Sequence, residues 1–410
     1  MIGIMKTRVL ILTGILILAF LSSCKKDNNE VKEIELSAKQ KEIVVAGNEF
    51  SLGLLQKVSE ASPDENFMIS PLSVDYALAM TTNGAKNNTL DQMLTTLGFE
   101  GFEIEEFNEF FHLLMDEIVD LDSKVTLSIA NSVWYRNSYT ILQSFLDINQ
   151  EYYDAHIASL NFDSPDAVTT INNWVSDNTN DKIPTIIDNI PADAIMYLIN
   201  AVYFYGQWKY EFDESQTQQG DFYISDDNSI QSDMMKMEAG LKYYNDASVS
   251  VVELPYGRGN FVMDIILPSS ELDPAQVIAS LNQQRWTEIT QGLYDQNILL
   301  TMPKFQFEFE NDLIPMLSDL GMTDLFNPNA ADLSGINGTG GLYVSKVKHK
   351  TYIDVTEKGT EAAAVTAVEV SLTSVDPNAA LPVTFDHPFV FIIREKSTEV
   401  ILFSGVVKNP

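Results

Sequence analysis

Apolar side chains recur along this chain with two different periods, and the change falls near residue 195. Before that point the spacing is helical: apolar residues four apart predict one amphipathic helix over 49–58, and a similar pattern predicts another over 171–178. Ser70 followed by Pro71 predicts a helix start, because a serine hydroxyl caps the first turn and proline fits the first helical position. The first part of the chain is therefore expected to be mainly helical.

Beyond residue 195 the apolar positions alternate with polar ones or form short uninterrupted runs, which is typical of β-strands. Helices first and strands later, without a regular strand–helix–strand rhythm, predict an α+β fold with large antiparallel or mixed sheets. After the N-terminal segment the chain contains no stretch with the composition of a linker and no internal repeat, so residues 41–410 are expected to form a single domain. The predicted strands are 261–267, 305–309, 342–355, 389–393 and 400–407.

The first 24 residues have the organisation of an export signal. Lys6 and Arg8 precede an apolar run over 9–21, which is too short to be a comfortable membrane span, and Leu-Ser-Ser-Cys closes it. This motif resembles the bacterial lipobox, in which the chain is cut before the cysteine and Cys24 receives a diacylglycerol. A soluble secreted protein cut at another position is the alternative.

On the lipobox interpretation, residues 1–23 are the lipoprotein signal peptide and residues 24–40 are a polar tether from lipidated Cys24. The mature protein is then expected to be an exported bacterial lipoprotein, anchored through this lipid at the outer membrane or cell surface, on the extracellular side.

The strongly negative net charge of the chain excludes some classes of binding partner. The chain has 410 residues, 58 acidic and 25 basic, and a formal net charge of −33. We expect no nucleic-acid partner, because such binding needs dense Lys and Arg. The same charge would repel an anionic membrane surface, so membrane attachment must be hydrophobic or covalent. Cys24 is the single cysteine, which excludes disulfides and cysteine-rich metal sites within the chain.

Catalytic and cofactor motifs are missing from the sequence. There is no Gly-x-Ser-x-Gly elbow, no His-Glu-x-x-His, no phosphate-binding loop and no dinucleotide fingerprint. The four histidines are too far apart in sequence to suggest a metal pair. Adjacent carboxylates such as Glu105 and Glu106 could in principle act as the acid and base of a glycosidase, but such pairs are expected by chance in so acidic a chain. We therefore expect no enzyme activity, no metal and no cofactor; a hydrolase on an unrelated fold has no support.

The most informative segment is 357–374. Every second residue from Thr360 is small or apolar or a threonine, while both acidic residues that follow fall on the other face, which is the period of a half-buried strand. Gly359 provides a flexible point before it. No proline occurs until Pro377, as a strand inside a sheet requires. An ordinary strand or a short alanine-rich helix would fit the same composition.

This segment resembles the proximal hinge of inhibitory serpins, a family of protease inhibitors. The match covers 357–366, and further matches to the family lie, in the family's order, between about residue 43 and the C-terminus. The resemblance implies the serpin fold: helices plus three β-sheets and an exposed reactive-centre loop, here about residues 357–384. The further matching segments are 66–73, 171–175, 200–208, 331–336 and 406–410.

The resemblance also implies a mechanism and a partner. A target serine protease cleaves the loop and forms a covalent complex with a monomeric inhibitor, and the hinge side of the loop then inserts into the main sheet. Non-inhibitory relatives often interrupt the small-residue run of the hinge, so the uninterrupted run here favours inhibition over a role as a binding module. The hinge residues that the resemblance assigns are Glu357, Gly359, Thr360, Ala362, Ala363 and Ala364.

Counting seventeen residues from Glu357, the family's usual spacing, places the reactive bond at Thr373–Ser374. The stretch from there to Pro388 is longer than usual, so Leu372–Thr373 is the alternative. Either bond suits an elastase-, subtilisin- or chymotrypsin-like protease, and papain-like cysteine proteases stay open as targets. The resemblance further assigns Ser70, Ser73, Asn200 and His349 to a hydrogen-bonded shutter under the main sheet and Trp208 to the breach where the loop enters.

Overall fold

The computed structural model describes residues 31–225, 228–360 and 380–410. Predictions for the N-terminal 30 residues and for the segment 361–379 therefore concern residues outside the described part and stay predictions. None of the described helices is both long and apolar enough to cross a membrane. The predicted site residues outside the described ranges are Cys24, Ala362, Ala363, Ala364, Leu372, Thr373 and Ser374.

The helices begin where the sequence supplies caps. Ser37 forms a capping box with Gln40 at the start of the first helix, and the Ser70 hydroxyl accepts from the Ser73 N–H with Pro71 next, as predicted. The helices are α1 (Ala38–Ala61), α2 (Pro71–Thr82), α3 (Asn87–Thr96), α4 (Ile104–Ile118), α5 (Gln143–Tyr153), α6 (Asp166–Asn178), α7 (Pro274–Ser280), α8 (Gln283–Gly292), α9 (Ile314–Asp319) and α10 (Ser334–Asn337), with 3-10 turns at Glu214–Gln216 and Asp324–Phe326.

The body starts earlier than the boundary predicted at residue 41. Ile34 is buried, and its N–H donates to the Ser397 hydroxyl at 2.9 Å. Part of the predicted tether therefore packs on the folded body, because an apolar side chain and a backbone donor both find partners there.

The strands confirm most of the alternating pattern and add three that it missed in the helical first part. The strand predicted over 342–355 begins only at Lys348. The strands are β1 (Phe67–Ile69), β2 (Val125–Arg136), β3 (His156–Leu160), β4 (Met196–Gln207), β5 (Gln218–Ser225), β6 (Asn228–Asn245), β7 (Val249–Pro255), β8 (Phe261–Pro268), β9 (Tyr294–Pro303), β10 (Phe305–Asp312), β11 (Lys348–Thr356), β12 (Gly359–Thr360), β13 (Leu381–Thr384), β14 (Phe389–Glu395) and β15 (Ile401–Val407).

Hydrogen bonding joins the described strands into two sheets. One has six strands in the order β10-β11-β12-β4-β2-β3. The other has nine, in the order β1-β15-β14-β8-β7-β6-β9-β13 with β5 on β6. The resemblance implied three sheets; the long strand β6 pairs with β7 at one end and with β5 at the other, and so links two of them into one continuous path.

The core lies between the two sheets and the helices. Every residue of β14 and β15 is buried, which explains why apolar residues predominate in both strands. A smaller cluster, including Trp134, Ile171 and Val175, packs α6 on the six-stranded sheet. In this sheet β4 and β11 lie on either side of β12.

Candidate functional site

The predicted hinge enters the middle of the six-stranded sheet. Thr360 pairs with Val355 of β11 and with Gly206 of β4, and Gly359 occupies the preceding position in the same antiparallel register. Among the described residues, β12 is what connects β11 to β4. The two residues thus form a short central strand of this sheet.

Gly359 is required at this point by close contact with β4. Its φ is +149°, and a Cβ there would clash with the carbonyl oxygen of Gly206 and approach the Gln207 Cα to 2.8 Å. Any other residue would push the two strands apart, so the hinge glycine is fixed by backbone packing.

Glu357 anchors the chain just before this strand. It is 5% exposed, accepts from the Thr217 hydroxyl at 2.7 Å and pairs with Lys304 Nζ at 2.8 Å. Burial by itself would raise the pKa of the Glu357 carboxyl. The hydrogen bonds from Lys304 and Thr217 together have the larger effect, so the pKa is lowered. Its backbone carbonyl also accepts from the Phe212 N–H at 2.9 Å. The sequence pattern did not indicate Lys304 or Thr217 as partners, because both residues lie far from Glu357 along the chain.

Trp208 lies directly against the hinge. Its indole N–H donates to the carbonyl of Thr356 at 2.9 Å, and its backbone N–H donates to the carbonyl of Lys358 at 2.9 Å. Its ring stacks on Tyr256 with centroids 4.3 Å apart, and the Tyr256 hydroxyl in turn bonds the hydroxyl of Thr360. Trp208, which the resemblance assigned to the breach, therefore contacts the predicted hinge directly, and Tyr256, which sequence reasoning missed, lies beside it.

Hydrogen bonds join three of the four predicted shutter residues. The Ser70 N–H donates to His349 Nε2 at 3.0 Å, and the Ser70 hydroxyl donates to the carbonyl of Leu402 at 2.9 Å and accepts from the Ser73 N–H. Burial lowers the pKa of His349 to about 4, so the ring is neutral near pH 7. Since Nε2 accepts a hydrogen bond, the ring proton is on Nδ1.

Asn200, the fourth predicted shutter residue, bonds elsewhere. Its amide donates to Asn131 Oδ1 at 2.8 Å, because these residues face each other in the register of β2 and β4. Within the described residues it has no hydrogen bond to His349, and its Oδ1 is buried without a partner. The grouping that the resemblance implied is thus incomplete: His349 is on β11, and β4 reaches that strand through β12.

A small, partly open pocket with a cavity volume of about 30 Å³ lies between β4 and β11, next to Thr360. Its lining is mostly apolar, with Phe204 from β4, Ile353 from β11 and Phe403 from the nine-stranded sheet. In residues 31–225, 228–360 and 380–410, no group of acidic, histidine or cysteine side chains is arranged to hold a metal ion.

Comparison with known proteins finds relatives that extend over most of the chain. Residues 45–410 match the family model described as Serpin (serine protease inhibitor). Leukocyte elastase inhibitor A of Rattus norvegicus is 34% identical over 378 residues, which are 89% of this chain and 98% of that protein.

Two solved structures have the same architecture. The thermophilic serpin tengpin in its native state superposes with a TM-score of 0.83 at 33% identity, covering 93% of this chain and 96% of its own. Human thyroxine-binding globulin complexed with its hormone superposes with a TM-score of 0.82 at 28% identity, covering 91% and 100% respectively.

Proposed function

The chain belongs to the serpin family, and on that premise we propose that it inhibits serine proteases as a suicide substrate. The protease serine hydroxyl attacks the carbonyl carbon of Thr373, the peptide bond to Ser374 breaks, and the new amine leaves with a proton. The inhibitor is then held as an ester on the protease. Insertion of the freed strand between β11 and β4 carries the ester-linked protease along and distorts its active site before water can hydrolyse the bond.

The observation that carries this proposal is the pairing of Thr360 between the two long strands. Thr360 is buried, with its hydroxyl on Tyr256, so its side chain faces the core. Side chains alternate along a strand, so a continuation of β12 would turn Ala362 and Ala364 to that same face and Glu361 to the other. Small side chains there would fit the apolar lining beside Phe204 and Ile353.

We propose elastase-, subtilisin- or chymotrypsin-like targets. Thr373, or Leu372 in the alternative register, is small or apolar and suits the corresponding specificity pockets. The similarity to a protein named leukocyte elastase inhibitor supports the same class. Papain-like cysteine proteases are an alternative target of the same loop.

A second candidate is a serpin that binds a ligand and does not inhibit proteases. It is favoured by the similarity to thyroxine-binding globulin, whose structure contains thyroxine. Such a protein would be cleaved in the loop without trapping the protease, so the two functions separate in one experiment.

We also propose that the protein is a monomeric lipoprotein, attached through a diacylglycerol on Cys24 at the outer membrane or cell surface. The lipobox motif supports this. Cys24→Ala should release the inhibitor into the soluble fraction of the producing cells without changing protease inhibition. A variant that stays with the membrane would contradict the anchor.

The direct test is incubation of the full-length chain with an elastase-like protease. We expect a complex that survives SDS and a released peptide whose mass corresponds to Ser374 through Pro410. A peptide starting at Thr373 would select the alternative register. Complete loop cleavage with an active, uncomplexed protease would contradict inhibition and favour the binding module.

A further inference from the structure

A group of charged side chains lies inside the nine-stranded sheet, away from the hinge. Arg394 on β14 is 1% exposed, and its guanidinium reaches carboxylates on two other strands. Nη2 donates to Glu253 of β7 at 2.7 Å, and Nε donates to Asp264 of β8 at 2.7 Å. Glu253 and Asp264 are themselves 3% and 0% exposed, so one buried cation faces two buried carboxylates.

Two further charges reach this group from the turn after β14. Glu399 accepts from Arg394 Nη1 at 3.2 Å, and Lys396 donates to Glu253 at 2.6 Å. Their side chains are 45% and 43% exposed, so they form the solvent side of the group. These five residues are called the Arg394 cluster. With every member ionised, three carboxylates against two cations leave it with one negative charge in excess.

The neighbouring elements contribute polar and aromatic groups to the surroundings of the cluster. The ring of Trp286 on α8 lies 6.0 Å from the guanidinium of Arg394, and the Asn48 amide on α1 donates to the backbone carbonyl of Glu399. Glu395 is also buried and acidic, but its carboxylate is satisfied by N–H and hydroxyl donors of the turn that follows it. None of these neighbouring groups carries a positive charge, so they do not compensate the excess negative charge of the Arg394 cluster.

Two buried carboxylates on one guanidinium are costly to ionise together, because both lose water and each repels the other. Glu253 has a second cation in Lys396, whereas the hydrogen bonds of Asp264 in the described part of the chain come from Arg394. Burial raises the pKa of Asp264 to about 6, against the opposing effect of Arg394 and with a further increase from Glu253. Asp264 is thus the member best placed to hold a proton.

We propose that the Arg394 cluster is a pH-responsive element, in which Asp264 takes up a proton in mildly acidic solution and thereby makes the folded body more stable. The folded chain binds this proton more tightly than the unfolded chain does. The stabilisation that this proton provides is therefore fully present below the ordinary pKa of an aspartate carboxyl, and it is lost as the pH rises through the higher pKa of the folded state. None of the five residues belongs to the hinge, so the proposal stands whether or not the protein inhibits proteases.

The test compares the unfolding temperature of the full-length chain with that of Asp264→Asn at one scan rate, at about pH 5 and about pH 7.5. About pH 5 lies between the ordinary carboxyl pKa and the raised one, so the folded side chain is mostly neutral while that of the unfolded chain is ionised; only part of the stabilisation is lost there, and the variant should unfold slightly higher than the wild type. Near pH 7.5 the wild type carries the buried charge, and the variant should unfold several degrees higher. Other titrating groups, including His349, are common to both proteins and cancel in the difference.

Asp246 provides the matched control, because it pairs with one guanidinium, that of Arg285, and is partly solvated. Burial opposes its ionisation, but hydrogen bonds from Arg285 and the Ser248 N–H lower the pKa of Asp246 to about 2. Asp246→Asn should therefore differ from the wild type by the same amount at both pH values. A pH-independent difference for Asp264→Asn as well would overturn the proposal.

Glu253→Gln keeps the proposal testable if Asp264→Asn does not fold. Without the competing carboxylate of Glu253, Arg394 is shared only by Asp264 and the half-exposed Glu399, so the loss of stability with rising pH should be smaller and should end at a lower pH than in the wild type. An unchanged pH profile in Glu253→Gln would exclude Asp264 as the responding group.

Discussion

Glu357 illustrates what a single buried carboxylate does at the entrance to the sheet. It joins the end of β11, Lys304 beside β10 and Thr217 before β5 through one ion pair and one hydrogen bond. Because the pKa of Glu357 is lowered, this contribution to stability is present near neutral pH and is lost as the pH falls below the ordinary carboxyl value.

Glu357→Gln should therefore weaken the native state. Removing the charge leaves Lys304 without its buried partner, and we expect a loss of about 1–3 kcal/mol in unfolding free energy. Denaturant unfolding of the uncleaved protein measures it. The matched control is Glu214→Gln, whose carboxylate pairs with Lys358 at an exposed position and should change stability by less than about 0.5 kcal/mol. Equal losses in both variants would contradict the anchoring role.

His349 gives a pH dependence of the opposite sign to that of Asp264. Its pKa in the folded state is about 4, below the ordinary value, so the unfolded chain binds the proton more tightly. Stability should fall as the pH drops through the range between these values, by at most roughly 3 kcal/mol from this residue. His349→Gln should remove that part of the slope in unfolding measurements from about pH 7 to pH 4. His112→Gln, at a half-exposed position on α4, makes the same replacement at another histidine and is the control.

At the level of elements, β12 is where the hinge becomes part of a sheet. Its two residues pair on both sides, and a small apolar pocket between β4 and β11 lies next to Thr360. An inserting strand needs each N–H for hydrogen bonds to its neighbours.

Ala364→Pro should convert the inhibitor into a substrate. Proline removes an N–H from the inserting segment and constrains its backbone, so insertion stalls and the ester is hydrolysed. We expect loop cleavage to continue while the SDS-stable complex is lost, as read on gels with an elastase-like protease. Ala379→Pro, on the other side of the reactive bond, should leave complex formation intact. A stable complex with Ala364→Pro would mean that insertion does not pass through this position.

At the scale of the whole molecule, the proposed function requires a native state that is held by a kinetic barrier. Strand β13 pairs in parallel with β9 at the end of the nine-stranded sheet, while β12 is held in the six-stranded sheet. The segment 361–379 joins them, so in the uncut chain its two ends are fixed in different sheets. Cutting the segment releases the β12 side from this constraint.

The cleaved protein should therefore unfold at a higher temperature than the intact one. New backbone hydrogen bonds to β4 and β11, together with buried alanine side chains, supply the gain. Scanning calorimetry of protein cleaved in the loop measures it, and Ala364→Pro cut in the same way should gain little. If the cut wild type unfolds no later than the intact protein, the metastable loop is excluded.

Local sequence patterns predicted many of the helices and strands. The cap at Ser70 and Pro71, the alternation at 305–309 and the apolar runs at 389–393 and 400–407 each fix an element, because caps and periodicity act within a few residues. The late start of β11 and the strands of the first part were missed, since pairing with distant strands decides them.

The sequence by itself determined the family, through motifs that lie along the chain in the family's order, and it predicted a hinge that begins at Glu357 and includes Gly359 and Thr360. Only the tertiary structure decided that Glu357 meets Lys304, that Asn200 bonds Asn131 in preference to His349, and that Asp264 shares Arg394 with Glu253. The physical reason is that hydrogen bonds and buried charges depend on which distant strands become neighbours, and no local period records that choice.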